Sequence, residues 1–148
     1  MCVLRVNGLQ FLPDDFLEHS PFETCAVFRA GEPQFPGQPE GRKNSSSGFH
    51  VDVSDASWAT LEFQVRDAER FLLKHETEFR RLASFAGVEE ICLDFPLDFR
   101  IGAETVAQSD TFPASFVRVA GQLGIALTFS LYAVSDSEES GENSSAND

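Results

Sequence analysis

The sequence predicts an α+β fold: one domain with a mainly antiparallel sheet and helices packed over one of its faces. Three observations carry that expectation. Several short segments alternate apolar and polar residues with the period of two that belongs to a half-buried strand, most clearly Ile91–Phe99, ICLDFPLDF. A long stretch, residues 58–86, contains neither Gly nor Pro and repeats apolar residues at spacings of three and four. Strands and helices are intermixed, and most of the strands carry one polar face, which suits an antiparallel sheet covered on one side.

In chain order, Cys2–Gly8 reads as a first strand, with Leu4 and Val6 set against Val3, Arg5 and Asn7. Pro13-Asp14-Asp15 opens a short helix, since Pro suits the first turn and acids there complement the helix dipole. Glu23–Ala30 is a second apolar run and an expected strand. Residues 31–48, GEPQFPGQPEGRKNSSSG, are rich in Gly, Pro, Asn and Ser and predict a long exposed loop. Phe49–Ser54 alternates again, with Phe49, Val51 and Val53 inward and His50, Asp52 and Ser54 outward.

The helical stretch runs Leu61, Val65, Ala68, Leu72, His75, Phe79, Leu82 and Ala86, and Gly87 supplies its stop. Glu62/Arg66, Lys74/Glu78 and Glu76/Arg80 are spaced as i, i+4 partners. One helix of that extent would be about 43 Å long, which predicts a bend near Lys74–Thr77 and two consecutive helices. Then comes the Ile91–Phe99 strand. Its inward side is Ile91, Leu93, Phe95, Leu97 and Phe99; its outward side is Cys92, Asp94, Pro96 and Asp98. Pro96 has no N–H to donate, which predicts a sheet edge or a bulge. Thr105–Gln108 is a candidate short strand. Asp110 is the expected cap of a helix reaching Leu123 and ending at Gly124. Ile125–Val134 forms the last strand, with Ile125, Leu127, Phe129 and Leu131 on one face. The domain thus spans residues 1–134, and residues 135–148 form an acidic tail expected to be disordered.

Composition narrows the function classes. The 148 residues carry a net charge of −13. The tail, SDSEESGENSSAND, holds five acids and no base, so 19 of the 24 acids still face all 11 bases in the domain. Such a field repels nucleic acid and anionic membranes and steers basic proteins toward the surface. No apolar run approaches the roughly 18 residues that span a bilayer. The opening MCVLRVNGLQFLPDD has no sustained apolar region, and Cys2, Cys25 and Cys92 are widely spaced. A cytoplasmic protein with reduced, structural thiols is expected.

Catalytic signatures are sparse. His19, His50 and His75 lie on different elements, none with a second His within five residues, so no metal or cofactor is expected. His50 and Asp52 share a strand face and form the only enzyme-like pairing beside the long loop. Asp94 and Asp98 stand about 13 Å apart along a strand, too far for a glycosidase acid/base couple. They suit contacts to two separate cations. Residues 89–110 hold six acids and one base, Arg100, which makes Glu89, Glu90, Asp94, Asp98, Glu104 and Asp110 the candidate partner-binding residues.

The order of a Phe-x-Val-x-Val strand, Ser54-x3-Trp58, Phe71-Leu72 on a long helix, Leu93–Phe95, Phe112-Pro113 opening a helix and Ser130–Tyr132 resembles small bacterial proteins often found as immunity proteins beside polymorphic toxins. The resemblance covers residues 49–134 and implies a cytoplasmic, non-enzymatic binder. Joined to the charge argument, it predicts an acidic immunity or antitoxin-like protein that neutralises a basic protein toxin stoichiometrically. A housekeeping or scaffold domain whose acidity serves solubility is the alternative, and an enzyme built on His50 and Asp52 is the third.

Overall fold

The computed structural model describes residues 1–133, so the acidic tail expected to be disordered lies outside the described residues. Nine elements follow in order: β1 (Cys2–Gly8), α1 (Pro13–Leu17), β2 (Ala26–Phe28), β3 (Ser47–Ser54), α2 (Leu61–Lys74), α3 (Glu76–Ala83), β4 (Glu90–Phe99), α4 (Ala114–Gln122) and β5 (Ala126–Ala133). The strands form one sheet in the order β2-β3-β1-β4-β5. All neighbours are antiparallel except β4 and β5, which run parallel with Cys92 beside Ala126 and Phe99 beside Ala133. The connection between those two holds α4, because parallel neighbours need a crossover rather than a hairpin. The α+β class is thus the observed one.

The sheet sorts its faces by the period of two. Cys2, Leu4, Val6, Phe49, Val51, Ile91, Leu93, Phe95 and Leu97 are buried beneath the helices. From above, α2 supplies Leu61, Val65, Ala68 and Leu72, α3 supplies Phe79 and Leu82, and α4 supplies Phe116 and Ala120. The expected bend falls at His75, which ends α2 and begins α3 with φ −112° and ψ 23°. Its N–H still bonds Phe71 O and its carbonyl still accepts from Phe79 N–H, so these two i, i+4 bonds survive the kink. Helix α3 ends at Ala83, before Ala86. The expected stop at Gly87 is therefore not where the helix ends, since Ser84 is its cap position; Gly87, with φ 85° and a Cβ position only 2.5 Å from Gln10 O, shapes the turn that leads into β4.

Several expectations are corrected. Strand β4 is not an edge: β1 flanks it on one side and β5 on the other. Pro96 is tolerated because the β1 ladder reaches only Val3, opposite Asp94. Beyond that point Pro96 O accepts from Gln64 Nε2 at 3.0 Å and Asp98 N–H donates to Trp58 O at 3.3 Å. A helix side chain and a loop carbonyl stand in for the missing strand. The β2 run shortens to three residues. The loop after it is a laced ribbon, in which Gly31 N–H bonds Asn44 O and Gln34 N–H bonds Arg42 O. No strand forms at Thr105–Gln108, and α4 starts at Ala114 with Pro113 as its cap position. Of the three expected i, i+4 pairs, Glu76–Arg80 forms at 2.7 Å, while Glu78 turns to Arg81 and Arg66 lies over the Phe63 ring.

Candidate functional site

The six acids singled out from sequence do not converge. Glu89 and Glu90 stand at the entry of β4 and Asp98 near its exit, about 26 Å from Glu90 by strand rise. Glu89 and Glu104 are exposed, and Asp98 and Asp110 are half-buried. Glu90 accepts from Asn7 Nδ2 at 2.9 Å. Asp94 is 2% exposed and sits on the sheet face opposite the helices. One of its oxygens pairs with the Arg5 guanidinium from β1, and the other accepts from Ser130 Oγ of β5 at 2.6 Å. The polar face at this point is therefore a stitch through three adjacent strands, and Asp94 is its central member.

At the exit of β4, Gln108 takes the role expected of a strand. Its Nε2 donates to Asp98 O at 3.2 Å and to Asp110 at 3.0 Å, and its Oε1 accepts from Arg100 N–H at 3.0 Å. Arg100 reaches both oxygens of Asp110 at 3.0 Å. The bond from Gln108, and then the Arg100 charge, hold the Asp110 carboxyl below its ordinary range. Against this network lies a depression of about 380 Å³ lined by Leu97, Phe99, Ile101, Phe129 and Leu131 together with Gln108, Ser109 and Asp110. Phe99, Ile101, Phe129 and Leu131 are 40–57% exposed. Phe116 of α4 meets Phe95, and Phe112, just before that helix, stacks on Phe129 at 4.9 Å; together they cover the earlier part of these strands and leave this end open. Asp98 and Glu104, neighbours of the depression in sequence, have no Lys, Arg or His within 4 Å among the described residues.

His50 and Asp52 stay within electrostatic reach, the carboxylate opposing the shift that burial imposes on the ring, but they line different surroundings. Burial, and then the neighbouring Arg5 charge, lower the His50 pKa, and its ring meets Phe28 at 5.3 Å. Asp52 instead lines a cavity of about 500 Å³ with Cys25, Lys74 and His75, floored by Phe22 and Phe71. Burial, then the Asp52 carboxylate, push the Cys25 thiol up, which suppresses the thiolate that nucleophilic chemistry requires. His75 is lowered by burial and by Lys74. Among the described residues no group of three or more His, Cys, Asp or Glu side chains is placed to hold a metal ion.

Sequence reasoning missed Arg5 and Ser130 as partners of Asp94. The signal was present, since Arg5 and Ser130 occupy polar alternate positions of β1 and β5, but strand order was needed to place them beside β4. No helix among the described residues is long and apolar enough to cross a membrane. No protein family, curated protein or solved structure matches this chain.

Proposed function

We propose that this chain is a non-catalytic binding protein of the immunity or antitoxin kind, which neutralises a basic protein partner by stoichiometric association. The observation that carries this reading is the apolar depression at the exit of β4 and β5, rimmed by Gln108, Ser109 and Asp110, with the unpaired acids Asp98 and Glu104 in the flanking sequence. An apolar centre within a polar rim is the anatomy of a protein-binding surface. The aliphatic stem of a lysine or arginine fits such a depression while its charge reaches the rim. Charge supports the same reading. Six of the eleven basic side chains (Arg5, Arg29, Arg70, Arg80, Arg81 and Arg100) are spent on carboxylates of this chain, so the surplus acids set the outward field. Of the six residues proposed from sequence, Asp98 and Glu104 are the direct contacts in this reading. Glu89 and Glu90 contribute to steering, and Asp94 and Asp110 hold the scaffold.

The test is affinity capture from the native host followed by reconstitution with the purified partner. The expected partner is a basic protein forming a one-to-one complex, whose toxicity on expression is relieved by this chain. Its association rate falls with salt, and it binds the Asp98→Asn, Glu104→Gln, Phe99→Ala triple variant at least tenfold more weakly. Capture of no basic protein, or a triple variant that folds and binds unchanged, overturns the reading.

A further inference from the structure

The two edges of the sheet are protected unequally. Strand β2 closes one edge with only three residues, and a short edge offers little to an incoming strand. Strand β5 closes the other with eight residues, ALTFSLYA, among which there is no charge and no Pro. In a chain where about a quarter of residues are charged, an uncharged stretch of that length on an edge lacks the usual safeguards against strand pairing. Among the described residues no strand pairs with its outer side. Phe129, Leu131 and Tyr132 on it are 45–57% exposed.

We propose that this edge is a self-association surface, on which β5 of a second copy of this chain pairs antiparallel to continue the sheet. Three arguments select a second copy. First, charge: a two-fold contact sets each surface against itself, so a chain of −13 can self-associate only through a neutral strip, and β5 is one. Second, register: a two-fold axis perpendicular to the sheet returns each side chain to the same face, so the pairing must centre on a residue. Centred on Phe129, it sets Leu127 opposite Leu131 of the second copy. Centred on Ser130, it sets Phe129 opposite Leu131. Either way the apolar stripes merge on the helix side, Thr128 and Ser130 meet polar or aromatic residues on the open side, and both helical layers lie on the same face of a ten-stranded sheet. Third, exposed apolar surface: on β5 itself Phe129, Leu131 and Tyr132 each leave 45–57% of their surface in water. With aromatic side chains of about 150–250 Å² each, they and the strand backbone supply a contact smaller than the roughly 800 Å² per partner of a tight interface, which suits a weak, concentration-dependent dimer. The sequence of the acidic tail, with almost no apolar residue, offers nothing to fill this stripe from within the chain.

This proposal does not depend on the basic partner; Phe129 and Leu131 belong to both surfaces, so dimer and one-to-one complex exclude each other, and salt separates the two. Binding of a cationic protein weakens as salt rises, whereas two chains of like charge associate more tightly when their repulsion is screened. The experiment is sedimentation equilibrium of the full-length chain across protein concentration at about 0.05 M and 0.5 M salt. A monomer–dimer equilibrium shifting toward dimer at high salt is expected. Leu131→Glu should weaken it at least tenfold with the circular dichroism spectrum retained, and Leu73→Glu, an equally exposed position on α2, should leave it unchanged. A chain ending at Ala133 should dimerise as tightly or more tightly. A wild-type chain that stays monomeric at high salt overturns the proposal. So does a folded Leu131→Glu variant that still dimerises, or loss of the dimer on removing the tail. If Leu131→Glu does not fold, Thr128→Glu on the open face of the same strand is the deciding variant, judged by the same criteria.

Discussion

Replacing Asp94 by Asn separates the two roles that its sequence position allows, a surface contact or a structural tie. As a solvated contact the carboxylate would be worth almost nothing to folding, within about 0.5 kcal/mol. The structure gives it Arg5 on one side and Ser130 on the other, with the Asp94 side chain 3% exposed and that of Arg5 46% exposed. Those two exposures decide the magnitude. Breaking a fully buried ion pair costs about 3–5 kcal/mol because the surviving charge is stranded, while fully exposed pairs are worth about 0.2–1 kcal/mol. Arg5 can rehydrate through its open half, and Asn keeps a carbonyl that accepts one of the two bonds. What is lost is the charge assistance of the hydrogen bonds, which places the cost at about 1–2 kcal/mol. For a domain of this size that lowers Tm by roughly 3–8 °C.

The assay is urea unfolding of wild type, Asp94→Asn, Arg5→Ala and the double variant, with common slopes. The cycle should return a coupling of about 1 kcal/mol between the two side chains, with the midpoint shifting and the slope unchanged. An Asp94→Asn variant as stable as wild type, or single-variant losses that simply add, would falsify the three-strand stitch and return Asp94 to the solvated surface. One consequence bears on binding experiments. Asp98 and Glu104 can be neutralised to probe a partner, but Asp94 cannot join them without confounding affinity with folding.

The remaining predictions rest on other parts of the fold. In the folded protein a disulfide reagent should titrate Cys25 alone, and faster as pH rises toward its elevated pKa; Cys2 and Cys92 should respond only on unfolding, for three free thiols in all. Burial lowers the pKa of His50 and His75 below the ordinary value of 6.5, so the unfolded chain binds protons first on acidification. Stability should therefore fall as pH drops from about 6.5 toward the folded-state values, and a His50→Gln, His75→Gln double variant should flatten that slope in urea titrations; an unchanged slope would assign the loss to other groups. Gln64→Leu should cost about 1–3 kcal/mol by leaving the Pro96 carbonyl without its donor, read from the same unfolding curves. Gly87→Ala should be destabilising too, since φ 85° and the Gln10 carbonyl both oppose a side chain there.

Local signals in the sequence were read correctly where the governing physics is local. The break at His75 follows from the length of an uninterrupted apolar stripe, and the stop at Gly124 from a residue that accepts positive φ, here 70°, whereas α3 ends at Ala83, short of the stop expected at Gly87. The inward faces of β1, of β3 as far as Val51 and of β4 as far as Leu97 follow from alternation; Ser54, expected outward, is buried where the β1–β3 register shifts, and Phe99, expected inward, is exposed. Non-local facts were out of reach. Pro96 argued for an edge because proline removes a ladder donor, and that chemistry is right. What sequence could not supply is that β1 runs out at the same place and that Gln64 and Trp58 take over its hydrogen bonds. The strand that does lie at the edge, β5, looked more internal by composition, being rich in apolar residues and free of charge.

The same non-locality explains why the candidate site moved along β4 rather than disappearing. Alternation assigned Asp94 and Asp98 to one outward face, and they do share its parity. Outward is not the same as solvated, however. At Asp94 the sheet has a neighbour on each side, and those neighbours contribute a guanidinium and a hydroxyl that cover and bind the carboxylate. Four residues later β1 has ended, so nothing equivalent to Arg5 can reach Asp98, and only backbone groups of Trp58 and the side chain of Gln108 bond its main chain. Two aspartates of identical sequence environment, Leu93-Asp94-Phe95 and Leu97-Asp98-Phe99, thus acquire different chemistry from the length of an adjacent strand. Asp98→Asn should therefore leave urea stability within about 0.5 kcal/mol of wild type, where Asp94→Asn loses about 1–2 kcal/mol; equal losses at the two positions would show that the length of β1 is not what distinguishes them.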